Sequence, residues 1–294
     1  MSSAPPVGPG AESLAPFTLT PRRPGNRALI HPAAHVEPGA LLGDDVEIGP
    51  GACIGPEVRL ERGVRVGPNA VLTGRLVVGP DARIFAGAVI GEVPQDLKYR
   101  GASTVTRIGA RTSVREHATV HRACEEGGET VVGCDVLLMA NSHVAHDCRV
   151  GDRAIVCNGA LLAGHVELSP QALVSGNVVV HQFVRIGRLA MIGGGSRVAR
   201  DVPSFALLVG DSQIRGVNGV GLRRAGISRE AQEEIRTAYR QLFRGRSALP
   251  DVLAQLAESL RTAEGRELLA FLSARSRRGL CSMDRAQEDS EESC

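Results

Sequence analysis

Tryptophan is absent from this 294-residue chain, and six phenylalanines and two tyrosines bring the aromatics to only 3%. Ordinary globular cores draw much of their buried area from large rings. The interior here must instead be built from small aliphatic side chains stacked at close range. Lysine is nearly missing as well: Lys98 is the single one among 34 basic residues. No apolar run approaches the length of a membrane-spanning helix. The seven cysteines (Cys53, Cys124, Cys134, Cys148, Cys157, Cys281 and Cys294) are odd in number and contain no CxxC pair. That argues against a zinc ribbon or a disulfide scaffold and for reduced thiols in a cytoplasm. A net charge of +2 selects no class of partner. A nucleic-acid surface would also need an aromatic stacking platform that this composition does not offer. Residues 1–27 are rich in Pro, Gly and Ser but lack a basic stretch followed by an apolar one, so they read as a disordered leader and not a signal peptide.

What the chain has in excess is a six-residue beat. From Ile30 to Val198, 26 of the 29 positions numbered by multiples of six are Ile, Leu or Val. Period six fits neither a 3.6-residue helix nor an alternating strand. It fits a parallel β-helix of hexapeptides, three to a coil of 18 residues, with the aliphatic pointing inward onto its counterpart in the next coil. Glycine often follows the aliphatic (Gly43, Gly49, Gly67, Gly151), where a corner needs φ > 0 or a close backbone approach. Small residues recur four places after the aliphatic. One coil cannot hide its own face, so roughly nine must cooperate. The three exceptions, Asp96, Ala102 and Glu126, fall in two insertions at about 92–104 and 123–130. Loops thrown out of a strict solenoid are commonly functional.

The β-helix is expected over 28–205 and a connector over 206–227. A helical domain follows over 228–280, with Ser228 as N-cap of a first helix that places Ile235, Tyr239, Leu242 and Phe243 on one face. Two further helices are expected near 250–262 and 264–274. The acidic stretch 281–294 reads as a disordered tail.

The coil converts numbering into neighbours. Eighteen residues beyond His146 stands Gly164, and eighteen beyond that Gln182; Asp147 lies under His165 and Ala163 under His181. These residues collect on one edge of successive coils. Such a cluster admits three uses: a metal site, as in a carbonic anhydrase-like solenoid; a general base built on a histidine of near-neutral pKa; or solvent-facing turn residues of a non-catalytic scaffold.

Several strings then carry a family resemblance. They are 90–99 (Ile-Gly-Glu-Val-Pro-Gln-Asp-Leu-Lys-Tyr), Thr119-Val120-His121-Arg122, 137–148 (Leu-Leu-Met-Ala-Asn-Ser-His-Val-Ala-His-Asp-Cys) and Leu161-Leu162-Ala163-Gly164-His165-Val166. Val180-His181-Gln182-Phe183, Gly226-Ile227-Ser228-Arg229-Glu230 and Arg275-Ser276-Arg277-Arg278-Gly279-Leu280 complete them. Together they resemble the UDP-N-acetylglucosamine O-acyltransferases of lipid A biosynthesis, over about 28–280. The resemblance implies a left-handed β-helix, a homotrimer with active sites at subunit clefts, and transfer of a 3-hydroxyacyl group from acyl carrier protein to UDP-N-acetylglucosamine. It implies no cofactor and no metal. By the same resemblance His146 is the general base, Asp147 its orienting partner, and the Gly164 N–H the oxyanion donor. Asp96, Lys98, His143, His165, His181 and Gln182 would hold the UDP-sugar, while Asn218 and Arg224 would reach a neighbouring subunit. Gly194, with Met191, falls where the family measures acyl-chain length, and a glycine there implies a long chain.

The later N-acyltransferase of the same pathway is a competing reading that lacks the Gln95-Asp96-Leu97-Lys98 loop. The chain departs from the family where the segment 210–218 is one residue short and lacks an alanine and a proline. It departs again at Ala225, where a second basic residue is frequent, so a 3-amino acceptor sugar stays open. An acidic carrier protein needs a basic landing surface, and Arg223, Arg224, Arg229, Arg236, Arg240, Arg244 and Arg246 crowd the start of the helical domain.

Overall fold

An inward-facing aliphatic at every sixth residue leaves a hexapeptide one economical way to hide it: a short extended stretch, then a turn. The computed structural model, which describes residues 28–244 and 248–283, repeats that unit from Leu29–Ile30 onward in strands mostly two residues long. The strands stack into three sheets of twelve, nine and eight. All ladders are parallel except the one between Ala206–Leu208 and Gln213–Val217. Through the central coils His143 pairs with Leu161, Leu161 with Val179 and Val179 with Arg197, the expected eighteen-residue step.

The two insertions alter that step without disturbing the beat. Ile84 pairs with Val114, thirty residues on, and Val114 with Leu138, twenty-four on. The insertions therefore add twelve and six residues, both whole hexapeptides, so the phase of the aliphatics survives while the neighbours change. As a result Thr119 lies beside His143.

The corners also have a specific chemistry. The residue in the left-handed region is the third after the aliphatic, as at Asp45, Asn69, Asp81, Asp135, Asn141, Asp147 and His165, with φ between 54° and 60°. Asp and Asn bear that conformation better than most residues. The glycines directly after the aliphatic serve the other need: a Cβ on Gly49 would stand 3.0 Å from the Pro68 nitrogen one coil away. Inside, Ile54, Leu72, Ile90, Val120, Val144, Leu162 and Val180 form a column at most 3% exposed, and the fourth-place Ala52, Ala70, Ala88, Ala118 and Ala160 are fully buried. Small residues at this place let the coil close to a narrow interior.

Beyond Val198 the solenoid continues with shorter steps. Val202 bridges to Ile186, and Ala206–Leu208 pairs with Met191–Ile192 at a spacing of sixteen. After the antiparallel strand comes a short helix, α1 (Gly219–Arg224), that the sequence pattern did not suggest. Helix α2 (Arg229–Arg244) starts as expected, with the Ala231 N–H donating to Ser228 Oγ at 3.1 Å. Helices α3 (Leu249–Ser259) and α4 (Ala263–Ser273) end one to three residues early, because Leu260 and Ala274 are extended.

Ile235 and Tyr239 bury the inner face of α2, and the Tyr239 hydroxyl donates to the Ser204 carbonyl at 2.6 Å. Arg188 joins the last coils to α4 through Glu267 at 2.7 Å. The first three residues of the expected tail pack against the solenoid: Cys281 is 2% exposed, and Ser282–Met283 pairs with Gln213–Ile214. Asp201 fastens this return, its N–H donating to the Gly279 carbonyl and its carbonyl accepting from Cys281. The expected leader, Gly245, Arg246 and the stretch from 284 lie outside the described residues. Among those described, no helix is long and apolar enough to cross a membrane.

Candidate active site

The nine-stranded sheet ends, after Val144 and again after Leu162, in turns that bring His146, Asp147, Gly164 and His165 together. The left-handed conformation of Asp147 (φ 60°) returns its carboxylate to its neighbour, and Oδ2 stands 2.8 Å from His146 Nδ1. The same oxygen accepts the Cys124 N–H at 3.1 Å, while the Asp147 N–H donates to the buried Thr130 hydroxyl at 2.8 Å. Burial by itself would raise the Asp147 carboxyl, but the bonds from His146 and Cys124 N–H and the nearby imidazoles hold it below the usual range. An ionised carboxylate can only accept, so Nδ1 must carry the proton, which leaves the Nε2 lone pair of a neutral imidazole open to take another.

Gly164 closes over that ring. A Cβ built on it would lie 2.5 Å from His146 Nε2 and nearer still to Cε1, so any other residue would displace the imidazole. The flanking N–H groups are spoken for, Ala163 by the Val180 carbonyl at 3.1 Å and His165 by the His146 carbonyl at 3.0 Å. The Gly164 N–H has no such acceptor among the described residues. An imidazole and an uncommitted N–H donor thus stand side by side, an arrangement that could serve attack on a carbonyl.

His165 completes the wall. Its ring meets His146 edge-on at 5.3 Å, its Nε2 is 3.8 Å from Asp147 Oδ2, and it stacks on Phe183 at 4.6 Å. Arg277, from the returning C-terminal segment, lies over the Phe183 ring at 4.7 Å. His143 lies deeper, its Nδ1 2.7 Å from Thr119 Oγ1 and its ring 4.9 Å from His121. Burial, reinforced by His121 and His146, pushes His143 down to about 4, and burial also lowers His121 and His165.

Both insertions reach this edge. Ligating atoms of Asp96, Cys124 and His146 all lie within 4.8 Å of one another, as do those of His146, Asp147 and His165. Either trio could hold a metal ion, and within one chain no three imidazoles converge among the described residues. Lys98 is exposed, and its side chain makes no hydrogen bond or ion pair among the described residues. The thiols are poor nucleophiles: burial pushes Cys124 up to about 11 and Cys148 up to about 12.

The other expected residues are placed differently. His181 and Gln182 stand one coil further along, exposed, with His181 Nδ1 3.1 Å from the Gln182 carbonyl. Asn218 does not point outward: its Oδ1 caps α1 by accepting the Gly221 N–H at 2.9 Å and its Nδ2 donates to the Leu189 carbonyl at 2.8 Å. Arg224 is exposed at the end of α1. Gly194 has no positive φ, and a Cβ there would touch only the Gly176 carbonyl, at 3.5 Å, so neither the turn nor the packing demands a glycine. Met191 faces outward and half-buried in the same coil. Of the basic cluster, Arg223, Arg224 and Arg229 are exposed, whereas Arg236 and Arg240 are engaged by Glu233.

Sequence reasoning missed Thr119, Thr130, Cys124, Phe183 and Arg277 as parts of this site. Cys124 was signalled by its place in an insertion and Arg277 by the matched string 275–280. Thr119 stands in the matched string 119–122, but its contact with His143 depends on the twenty-four-residue step, which no spacing rule stated.

Comparison with known proteins agrees with this layout. A family model described as "Udp N-acetylglucosamine O-acyltransferase; Domain 2" matches residues 201–281, and one described as bacterial transferase hexapeptide (six repeats) matches 129–164. The chain is 47% identical over 173 residues to the acyl-[acyl-carrier-protein]–UDP-N-acetylglucosamine O-acyltransferase of Gloeothece citriformis, covering 58% of this chain and 63% of that one. It is 46% identical over 176 residues to the protein of the same name from a Synechocystis species, covering 60% and 64%. The matched stretch thus spans a little under two thirds of these relatives' length. Among solved structures, LpxA from Acinetobacter baumannii superposes with a TM-score of 0.83 at 36% identity, over 86% of this chain and 99% of that one. The Bacteroides fragilis UDP-N-acetylglucosamine acyltransferase gives 0.81 at 36%, over 86% and 99%. The fold is the expected left-handed parallel β-helix followed by a small helical domain.

Proposed function

This chain belongs to the UDP-N-acetylglucosamine O-acyltransferase family, and from that premise we propose that it moves a (3R)-3-hydroxyacyl chain from acyl carrier protein to the 3-position of UDP-N-acetylglucosamine, opening lipid A biosynthesis. The observation that carries the reading is the His146–Asp147 pair lying under the uncommitted Gly164 N–H. The sugar 3-hydroxyl attacks the thioester carbonyl as Nε2 of His146 takes its proton. The negative charge that develops on the carbonyl oxygen is met by the Gly164 N–H. Collapse of the tetrahedral intermediate breaks the carbon–sulfur bond, and the carrier thiolate leaves with the proton His146 has held. Asp147 keeps the ring in the correct tautomer and stabilises the imidazolium formed midway. General base action contributes roughly 10²–10⁴ in rate and a positioned donor about 10²–10³. An acyl-enzyme is unnecessary, in keeping with the protonated thiols, and the thioester is already activated without a cofactor.

The remaining roles follow the same reading. Asp96, Lys98, His143 and His165 line the sugar-nucleotide cleft, with the compact Lys98 cation meeting phosphate or sugar oxygens. His181, Gln182 and Arg224 are exposed and face whatever completes the cleft. We take the working form to be a cytoplasmic homotrimer. The outward, half-buried Leu137, Ile155, Leu173, Met191 and Leu207 run as one apolar stripe along a single sheet, suited to a neighbouring subunit and an acyl chain. Acyl carrier protein docks on the arginine-rich start of the helical domain. Asn218 keeps only its capping role in this scheme.

The test is direct. Purified protein is mixed with UDP-N-acetylglucosamine and a series of 3-hydroxyacyl carrier proteins, and products are read by mass. Wild type should yield the 3-O-acyl sugar nucleotide, and His146→Ala should abolish turnover with circular dichroism and oligomeric state unchanged. Retention of more than about a tenth of kcat, far above what loss of a general base allows, would show that His146 is not the base. Substituting the 3-amino sugar nucleotide in the same assay decides the acceptor.

A further inference from the structure

We propose that Asp96, Cys124 and His146 form a thiophilic divalent-metal site, with Zn²⁺ as its natural occupant, and that filling it switches the acyltransferase off. The inhibitory half of this rests on the role given to His146 above; the metal site does not. The ligand set is one carboxylate, one thiol and one imidazole, whose ligating atoms lie within 4.8 Å of one another. Zinc takes such mixed sets and leaves a fourth position for water. The softer sulfur favours Zn²⁺ over Mg²⁺ or Ca²⁺.

All three residues are already held in place. The Asp147 carboxylate braces two of them, accepting from His146 Nδ1 at 2.8 Å and from the Cys124 N–H at 3.1 Å. Asp96 is fixed at the tip of the first insertion, its carboxylate accepting the Lys98 N–H at 2.9 Å and its carbonyl the Tyr99 N–H at 3.0 Å. Outer partners that orient ligands in this way are characteristic of working metal sites. Only the backbone N–H of Cys124 serves the proposed acyl transfer, through Asp147, so its thiol is unexplained by the reaction.

Coordination balances simply: the thiol gives up its proton to solvent and the thiolate, the carboxylate and one imidazole nitrogen donate lone pairs to the ion. Either ring nitrogen disables the base. Bound through Nε2, His146 loses the lone pair that accepts the hydroxyl proton. Bound through Nδ1, it loses the hydrogen bond from which Asp147 sets the tautomer. Asp96 would at the same time be withdrawn from the sugar cleft, so metal and UDP-sugar should exclude each other.

The experiment has a binding arm and an activity arm. Chelator-treated full-length protein is titrated with Zn²⁺ against a chromophoric chelator, and Co²⁺ is added separately to look for a thiolate-to-cobalt charge-transfer band. We expect one ion per chain, the band present, and affinity lowered at least about 100-fold in both Cys124→Ser and Cys124→Ala, since losing even an outer partner costs 10–100-fold. Saturating UDP-N-acetylglucosamine should block uptake. In the activity arm Zn²⁺ should depress wild-type turnover at least about tenfold, reversibly with chelator, while Cys124→Ser, compared with its own metal-free rate, resists the metal. Absence of uptake, absence of the cobalt band, or uptake unchanged in both cysteine variants would overturn the site. Uptake through Cys124 with turnover unaffected, or turnover that requires the metal, would overturn the inhibitory role. A protein with no acyltransferase activity that still binds zinc through Cys124 would refute the functional reading and leave the site standing.

Discussion

Gly164 stands one coil from His146 with no room for a methyl group between its Cα and the imidazole face. Its place is set by contact and not by conformation, since it has no positive φ. Gly164→Ala should therefore fold, pushing the His146 ring out of line with the Gly164 N–H. We expect kcat to fall by about 10²–10³, the usual worth of a positioned donor, with KM for the sugar nucleotide changed far less. Near-wild-type kcat in a steady-state assay would show that the ring and the amide do not act together.

The buried histidines predict a pH-dependent stability. His143 is held neutral, at about 4 against an ordinary 6.5, and His121 is also lowered. The unfolded chain binds more protons than the folded one between these limits, so stability rises with pH across that window. The contribution is fully present above about pH 6.5 and is lost as pH falls towards 4. For His143 it is on the order of 3 kcal/mol at most. Urea midpoints measured from pH 4 to 7.5 should drop on the acid side, and His143→Asn should flatten the slope. An unchanged slope would remove His143 as its source.

The join between solenoid and C-terminal segment depends on a buried ion pair. Asp201 is fully buried, with Arg185 Nη2 at 2.8 Å and the Arg185 N–H donating to its other oxygen at 2.9 Å. Removing one partner strands a charge, so Asp201→Ala should cost about 3–5 kcal/mol in thermal or urea unfolding. The double variant Arg185→Met with Asp201→Leu should recover part of that. A loss under about 1 kcal/mol for the single variant, the value of an exposed pair, would contradict this account.

At Gly194 the room lies outside the coil, where a Cβ would meet only the Gly176 carbonyl at 3.5 Å. Gly194→Met should leave the fold intact and shift product masses towards shorter acyl chains. One or a few methylenes in an apolar groove discriminate by about 10–200-fold. An unaltered chain-length profile would place the acyl terminus elsewhere.

How much of this was legible in advance differs from residue to residue. The six-residue beat stated the architecture because stacking imposes the same demand on every coil, and Leu42 or Val174 answers it without knowing what lies far along the chain. The adjacency of His146 and Gly164 was equally legible, since an uninterrupted run of hexapeptides makes eighteen residues a distance in space. Where the run is interrupted, that arithmetic fails. The Thr119–His143 contact depends on how many hexapeptides the second insertion holds outside the ladder.

Local repetition was enough to specify a stacked solenoid and the edge on which its polar residues gather. It took the folded chain to bring Cys124 and Asp96 back to His146, to turn Asn218 inward as a helix cap, and to close Arg277 over Phe183. Those contacts join segments whose separation obeys no period, and they are settled by which loop can bury its surface against which coil.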